Sequence, residues 1–153
     1  MPLYVGEFEQ VIDAKHRLSV PAALREGSDP EEEGRDFFLV LGSDRHLWLY
    51  PDKYYRRLIS TMKRSRLPVK QAQGIAMLFA FARVVKPDAQ GRVVIPEPSI
   101  RRASVSDKVT LVGQVDHIEI WPADEWAQAT DATMPNYGQM LTEAADRLFE
   151  QES

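Results

Sequence analysis

"DAKHRLSVP" occupies residues 13–21, and "DAQGRVVIP" occupies residues 88–96. Asp13 and Asp88, Arg17 and Arg92, and Pro21 and Pro96 all share one displacement of 75 residues. A charged, turn-like string written twice implies an internally duplicated chain, and it predicts a pseudo-two-fold object.

The elements around each copy repeat in the same order. "GEFEQVID" (6–13) is rich in β-favouring Phe8, Val11 and Ile12, and "LSVP" alternates Leu18 with Val20. Pro21 opens the short helix "PAALRE", where a proline at the first position sacrifices no hydrogen bond. "DFFLVLG" (36–42) reads as a buried strand, "SDRH" as a turn and "LWLY" (47–50) as the returning strand. The second copy runs "FARVVKPD" (81–88), "AQGR", "VVIP", "PEPSIRRA", "DKVTLVG" (107–113), "QVDH" and "IEIW" (118–121). By then the displacement is 71 residues, pairing Gly42 with Gly113, His46 with His117, Pro51 with Pro122 and Tyr55 with Trp126. The four lost residues are assigned to the acidic loop "SDPEEEGRD" (28–36). The predicted organisation is a first repeat over 1–66, a connecting helix over 67–80, a second repeat over 81–129 and an acidic helical tail over 130–153. "PVKQAQGIAMLFAFAR" (68–83) carries Ile75, Leu78, Phe79 and Ala82 at helical spacing, and the tail carries Met140, Leu141, Ala144 and Leu148.

With 153 residues, 44% hydrophobic and 27% charged, the chain reads as a folded globular protein. No apolar run approaches the roughly 20 residues of a membrane helix. The N-terminal "MPLYVGEFEQ" lacks a basic start and an apolar core, so a cytoplasmic location is expected. Cysteine is absent, which excludes disulfides and thiolate metal sites. The formal charge of −4 is unevenly spread: residues 124–153 hold seven acids against Arg147, leaving the rest of the chain at +2. Residues 53–66 alone carry Lys53, Arg56, Arg57, Lys63, Arg64 and Arg66, read as a basic helix with a solvated outer face. A local basic surface can therefore meet a polyanion despite the overall sign.

In the repeated string, an aspartate can accept backbone N–H groups within the turn, while the arginine four residues later opens the next strand. Gly91 takes a positive φ freely, whereas His16 in the matching place does so at a cost. Two such turns would present Lys15, His16, Arg17, Gln90 and Arg92 on one surface, oriented by Asp13, Asp88 and Gly91. Arginine bridges phosphates or reads guanine edges, and glutamine suits adenine, so this set fits DNA. Spacing alone favours the plainer reading, in which Asp–Arg pairs merely staple a turn, because isolated DxxxR strings are common.

"YVGEFEQVIDAKHRLSVPAALRE", "LWLYP", "DAQGRVVIPEPSIRRA" and "LVGQVDHIEIWPADEW" together resemble the MraZ family, over about residues 4–127. The resemblance implies a mainly β protein with flanking helices (α+β), built as an AbrB-like swapped-hairpin barrel. It also implies double-stranded DNA as partner, met through the two DxxxR turns at short direct repeats upstream of the protein's own operon. The implied role is transcriptional regulation of the cell-division and cell-wall gene cluster by a nucleoid-associated homo-oligomeric ring, an octamer or dodecamer. Two departures stand out: the family pattern has glycine where His16 stands, and the tail beyond about residue 130 is read as longer than the family core.

No enzymatic role is expected. His16, His46 and His117 are isolated, with matched turn positions for the last two, and no phosphate-cradling glycine loop occurs. Neither a metal, a cofactor nor a small-molecule substrate is implied. The competing reading is a ring-forming protein-interaction scaffold with little DNA affinity.

Overall fold

A computed structural model describes residues 1–63 and 65–152. The first half runs β1 (Glu7–Val11), β2 (Arg17–Ser19), α1 (Ala22–Arg25), α2 (Pro30–Glu33), β3 (Phe37–Leu41), β4 (Leu47–Pro51) and α3 (Asp52–Ser60). After α4 (Gln73–Phe81) the second half runs β5 (Arg83–Val85), β6 (Arg92–Val94), α5 (Glu97–Ala103), β7 (Lys108–Gly113) and β8 (Ile118–Pro122). The chain divides into two compact units, Met1–Ala123 and a second beginning at Asp124. The second contains α6 (Ala123–Thr133) beyond its first residue, a tighter turn at Met134–Asn136 and α7 (Tyr137–Glu152). No helix among the described residues is long and apolar enough to cross a membrane.

The strand order of the larger sheet is β1-β7-β8-β4-β3-β5. Exchanging each strand for its counterpart in the other half returns the same order read backwards, so a pseudo-two-fold axis passes between β4 and β8. The outer strands are swapped: β1 pairs antiparallel with β7 of the second half, and β5 with β3 of the first. A separate two-stranded ladder joins β2 to β6, again one strand from each half. The fold is thus an internally duplicated α+β structure whose halves exchange strands.

Period-two patterning explains how the two sheets share a core. Leu39, Leu47, Leu49, Leu111, Ile118 and Ile120 face inward from the large sheet, and Leu18, Val20, Val93 and Ile95 face them from the ladder region. Leu18 and Val93 lie opposite one another in the ladder and are both 0% exposed. Burying each such side chain contributes about 1.5–3 kcal/mol before entropic costs.

Three sequence expectations change. The connecting helix begins at Gln73 rather than near residue 68, and it takes in Phe81, which the sequence reading gave to the following strand. The acidic 28–36 segment forms the helical turn α2, whose first turn is capped by Asp29 accepting the Glu31 amide at 3.0 Å. The basic helix ends at Ser60, and its Lys53 and Arg57 remain exposed to solvent while also reaching that acidic segment. Arg57 binds the buried Glu33 carboxylate, and Lys53 Nζ donates to the Glu31 carbonyl at 3.0 Å. Arg64, counted in that basic stretch, lies outside the described residues.

The displacement between the halves also resolves into steps. Gln10 pairs with Val109 as Val85 pairs with Phe37, which keeps the 75-residue displacement for the swapped strands but sets 72 for β3 and β7. Gly42 donates to the His46 carbonyl as Gln114 donates to the His117 carbonyl, so Gly42 corresponds to Gln114 rather than Gly113. Three residues are lost around the α2 segment and one in the β7–β8 turn.

Candidate nucleic-acid interface

Both DxxxR turns have the same construction. Asp13 Oδ1 accepts the Lys15 and Arg17 amides, each at 2.9 Å, while Oδ2 accepts Arg17 Nε at 2.6 Å. Asp88 Oδ1 accepts the Gln90 and Arg92 amides, each at 2.9 Å, and Oδ2 accepts Arg92 Nε at 2.9 Å. The backbone closes each turn, with the Asp13 amide on the Arg17 carbonyl and the Asp88 amide on the Arg92 carbonyl. Both carboxyls are held below the usual carboxylate range, chiefly by the arginine backbone N–H.

The staple and the exposed cation are the same arginine. Pairing through Nε leaves the Nη1 and Nη2 groups of Arg17 and Arg92 without a hydrogen bond to the described residues. Their side chains remain 34% and 31% exposed. That terminal pair of nitrogens is the fork that engages phosphates and guanine edges bidentately.

The ladder brings both arginines to one surface. Arg17 lies opposite Val94, and Ser19 opposite Arg92. Residues opposite each other, and residues two apart, share a face, so Arg17, Ser19, Arg92 and Val94 point outward while Leu18 and Val93 point into the core. From ideal strand spacings the two arginine Cα atoms lie diagonally about 8 Å apart. The apices are cross-linked as well: Val20 donates to the Gly91 carbonyl at 3.0 Å and Ile95 to the His16 carbonyl at 2.8 Å. Each turn is therefore braced by the strand of the other half.

Of the remaining expected residues, Lys15 and Gln90 are exposed at the turns, and their amides are fixed by the aspartates. His16 and Gly91 both have positive φ, 62° and 78°. His16 is half-buried in a shallow cleft lined also by Ile12, Ile100 and Val105. Sequence reading missed Arg25, whose Nε donates to the Val20 carbonyl at 3.0 Å and whose guanidinium lies against Gly91. The signal was present in the repeat itself: "PAALR" carries arginine where "PEPSI" carries Ile100.

His46 and His117 lie elsewhere, on the outer face of the large sheet beside the pseudo-axis. His46 stacks on Trp121 at 3.9 Å between ring centroids, and His117 on Trp48 at 4.1 Å. His117 Nδ1 is 2.8 Å from Asp116 and its Nε2 is 2.8 Å from Glu119. Burial alone would lower its pKa, yet the Glu119 and Asp116 carboxylates outweigh burial and hold it above the usual histidine value. Among the described residues, no group of three or more His, Asp or Glu side chains is arranged to hold a metal ion.

Comparison with known proteins matches the chain over residues 3–75 and 78–149 to the family described as "MraZ protein, putative antitoxin-like". A protein of Alkaliphilus metalliredigens named transcriptional regulator MraZ is 32% identical over 149 residues, covering 97% of this chain and 98% of its own. Its namesake in Symbiobacterium thermophilum is 31% identical, covering 94% of this chain and 99% of its own. The Clostridium tetani protein of that name is 30% identical over 133 residues, covering 86% and 90%. The second match reaches residue 149, so the tail lies largely within the family pattern rather than beyond it.

Proposed function

Since the chain belongs to the MraZ family, we propose that it is a transcriptional regulator that binds double-stranded DNA through its two DxxxR turns. The observation that carries this reading is the outward pairing of Arg17 and Arg92 on one face of the β2–β6 ladder, with their Nη groups unengaged. Lys15, Gln90 and His16 border that face. In this reading the aspartates fix the arginines, and the buried Leu18–Val93 pair makes the platform rigid. The relatives' name as transcriptional regulators supports the role. The fuller expectation is binding to short direct repeats upstream of the protein's own operon, controlling the cell-division and cell-wall cluster from the cytoplasm as a nucleoid-associated ring.

Ring assembly would place many weak basic turns along tandem repeats, giving avidity that a net charge of −4 does not oppose locally. Exposed Leu67, Val69, Ile75 and Met77, around the start of α4, supply apolar surface for self-association. The repeats correspond to 1–66 and 81–129, linked through 67–80, with the acidic tail from 130.

The test is fluorescence anisotropy against DNA upstream of the operon at several salt concentrations. Wild type is compared with Arg17→Ala, Arg92→Ala and the double variant, each first shown to assemble. Steeply salt-dependent binding that the variants lose is the expected result. Assembled wild type that ignores this DNA would instead favour a protein scaffold.

A further inference from the structure

The two turns share their hydrogen bonds but not their surroundings. Beside the second turn, the ideal Cβ position on Gly91 lies 2.8 Å from Arg25 Cζ, so the guanidinium rests directly on the glycine. Beside the first turn, the residue equivalent to Arg25 is Ile100, and His16 occupies the space. The next shell differs in the same sense. The cleft at the second turn includes Arg25 and Arg35 with Asp36 and Asp88; its counterpart at the first includes Asp13 and Asp107, without an arginine or lysine. Lys15 at the first turn stands against neutral Gln90 at the second, so the halves differ in the placement of Arg25 against Ile100 and His16 more than in net charge.

A two-fold object reads an inverted repeat, because each half meets an equivalent half-site. A direct repeat has a direction, and only an object with distinguishable halves can be oriented on it. We propose that Arg25 is a third DNA-contacting cation, and that together with the Asp88–Arg92 turn it makes the chain a polar reader, with an Arg25 half built unlike its Lys15–His16 half. The inference rests on the DNA-binding reading above. Arg25 suits the role because its Nε is tied to the Val20 carbonyl at 3.0 Å, which sets the planar fork in place against Gly91 at the apex of the second turn. Glycine at 91 then serves two needs: the positive φ and the room for Arg25.

Because the chain contains no cysteine, single substitutions at the exposed turn positions Ala14→Cys and Ala89→Cys can each carry an iron–EDTA cleaving group. On the operon-upstream duplex, each labelled protein is expected to cut on one side of every bound repeat, and the two labels on opposite sides. Introducing His16→Gly with Ile100→Arg gives the first turn the second's surroundings, and cutting should spread to both sides. Arg25→Ile is expected to weaken binding about tenfold and reduce the salt slope by about one, whereas Arg25→Lys keeps the slope. Wild type that binds this DNA yet cuts on both sides, or Arg25→Ile that keeps affinity and slope, would overturn the inference alone. Wild type that does not bind would overturn the DNA-binding reading and the inference with it.

Discussion

His16 holds φ at 62° where its pseudo-symmetric counterpart Gly91 holds 78°, and the carbonyls of both accept the amide of a strand from the opposite half. A histidine in this left-handed region carries a backbone cost of about 1 kcal/mol that glycine avoids. His16→Gly should therefore stabilise the chain by about 0.5–1 kcal/mol, read as a raised denaturation midpoint with unchanged slope. Gly91→His should do the opposite by a larger margin, because its Cβ would strike Arg25.

The aspartates give stability a dependence on acid. Asp13 and Asp88 both titrate below their ordinary 3.8 in the folded chain. A depressed carboxyl contributes stability above its unfolded value, and that contribution disappears as pH falls through the folded value. Asp13→Asn and Asp88→Asn should each flatten the acid limb of a stability–pH curve. Urea denaturation between about pH 5 and 2 measures this.

His117 works in the reverse sense. Its folded pKa lies above the ordinary 6.5, so its contribution is complete below that value and is lost as pH rises through the folded one. Glu119→Gln should move the His117 ring titration downward in NMR spectra, and His117→Gln should remove this loss of stability on the alkaline side. Asp116 faces the same ring and also accepts the Tyr54 hydroxyl at 2.8 Å, so Asp116→Asn should shift the titration in the same direction.

The acidic tail is expected to oppose DNA electrostatically. Deleting residues 130–153 should tighten binding to the operon-upstream duplex at low salt, with the gain shrinking as ionic strength rises. Equal affinity with and without the tail at low salt would remove that role.

The platform can be broken separately from the cations. Leu18→Ala removes a fully buried side chain under Arg17 and Ser19 and should cost about 2–5 kcal/mol in urea denaturation. Arg17→Ala, half-exposed on the other side of the same strand, should leave stability within about 1 kcal/mol while weakening binding.

Much of this was legible because the repeat is its own control. The strands are readable from β-favouring residues, buried apolar runs and, at Leu18 and Val20, alternation, and the paired Asp–Arg strings locate the turns. Which strand partners which was not readable: β1 is equally amphipathic whether it pairs with β3 or β7, and only three-dimensional closure selects β7. The displacement of 71 residues suited the two glycines 42 and 113, but hydrogen-bond register is set by turn length, which places Gln114 opposite His117. Arg57 is the surface charge its sequence context suggests, but nothing local announces its partner, since Glu33 lies 24 residues earlier and is buried beside it. Arg25 escaped for a related reason, since its neighbour Gly91 belongs to the other half.

Strand exchange also dictates the order in which the chain can fold as it is made. β1 emerges from the ribosome long before β7, its ladder partner among the described residues, which is not complete until Gly113 has been translated. The first half cannot settle as an independent unit during synthesis. It must wait, with β1 unpaired, for nearly the whole of the first compact unit to appear. Folding is then a late, cooperative event dominated by contacts far apart in sequence, and a ribosome stalled between the halves would hold a nascent chain with open strand edges.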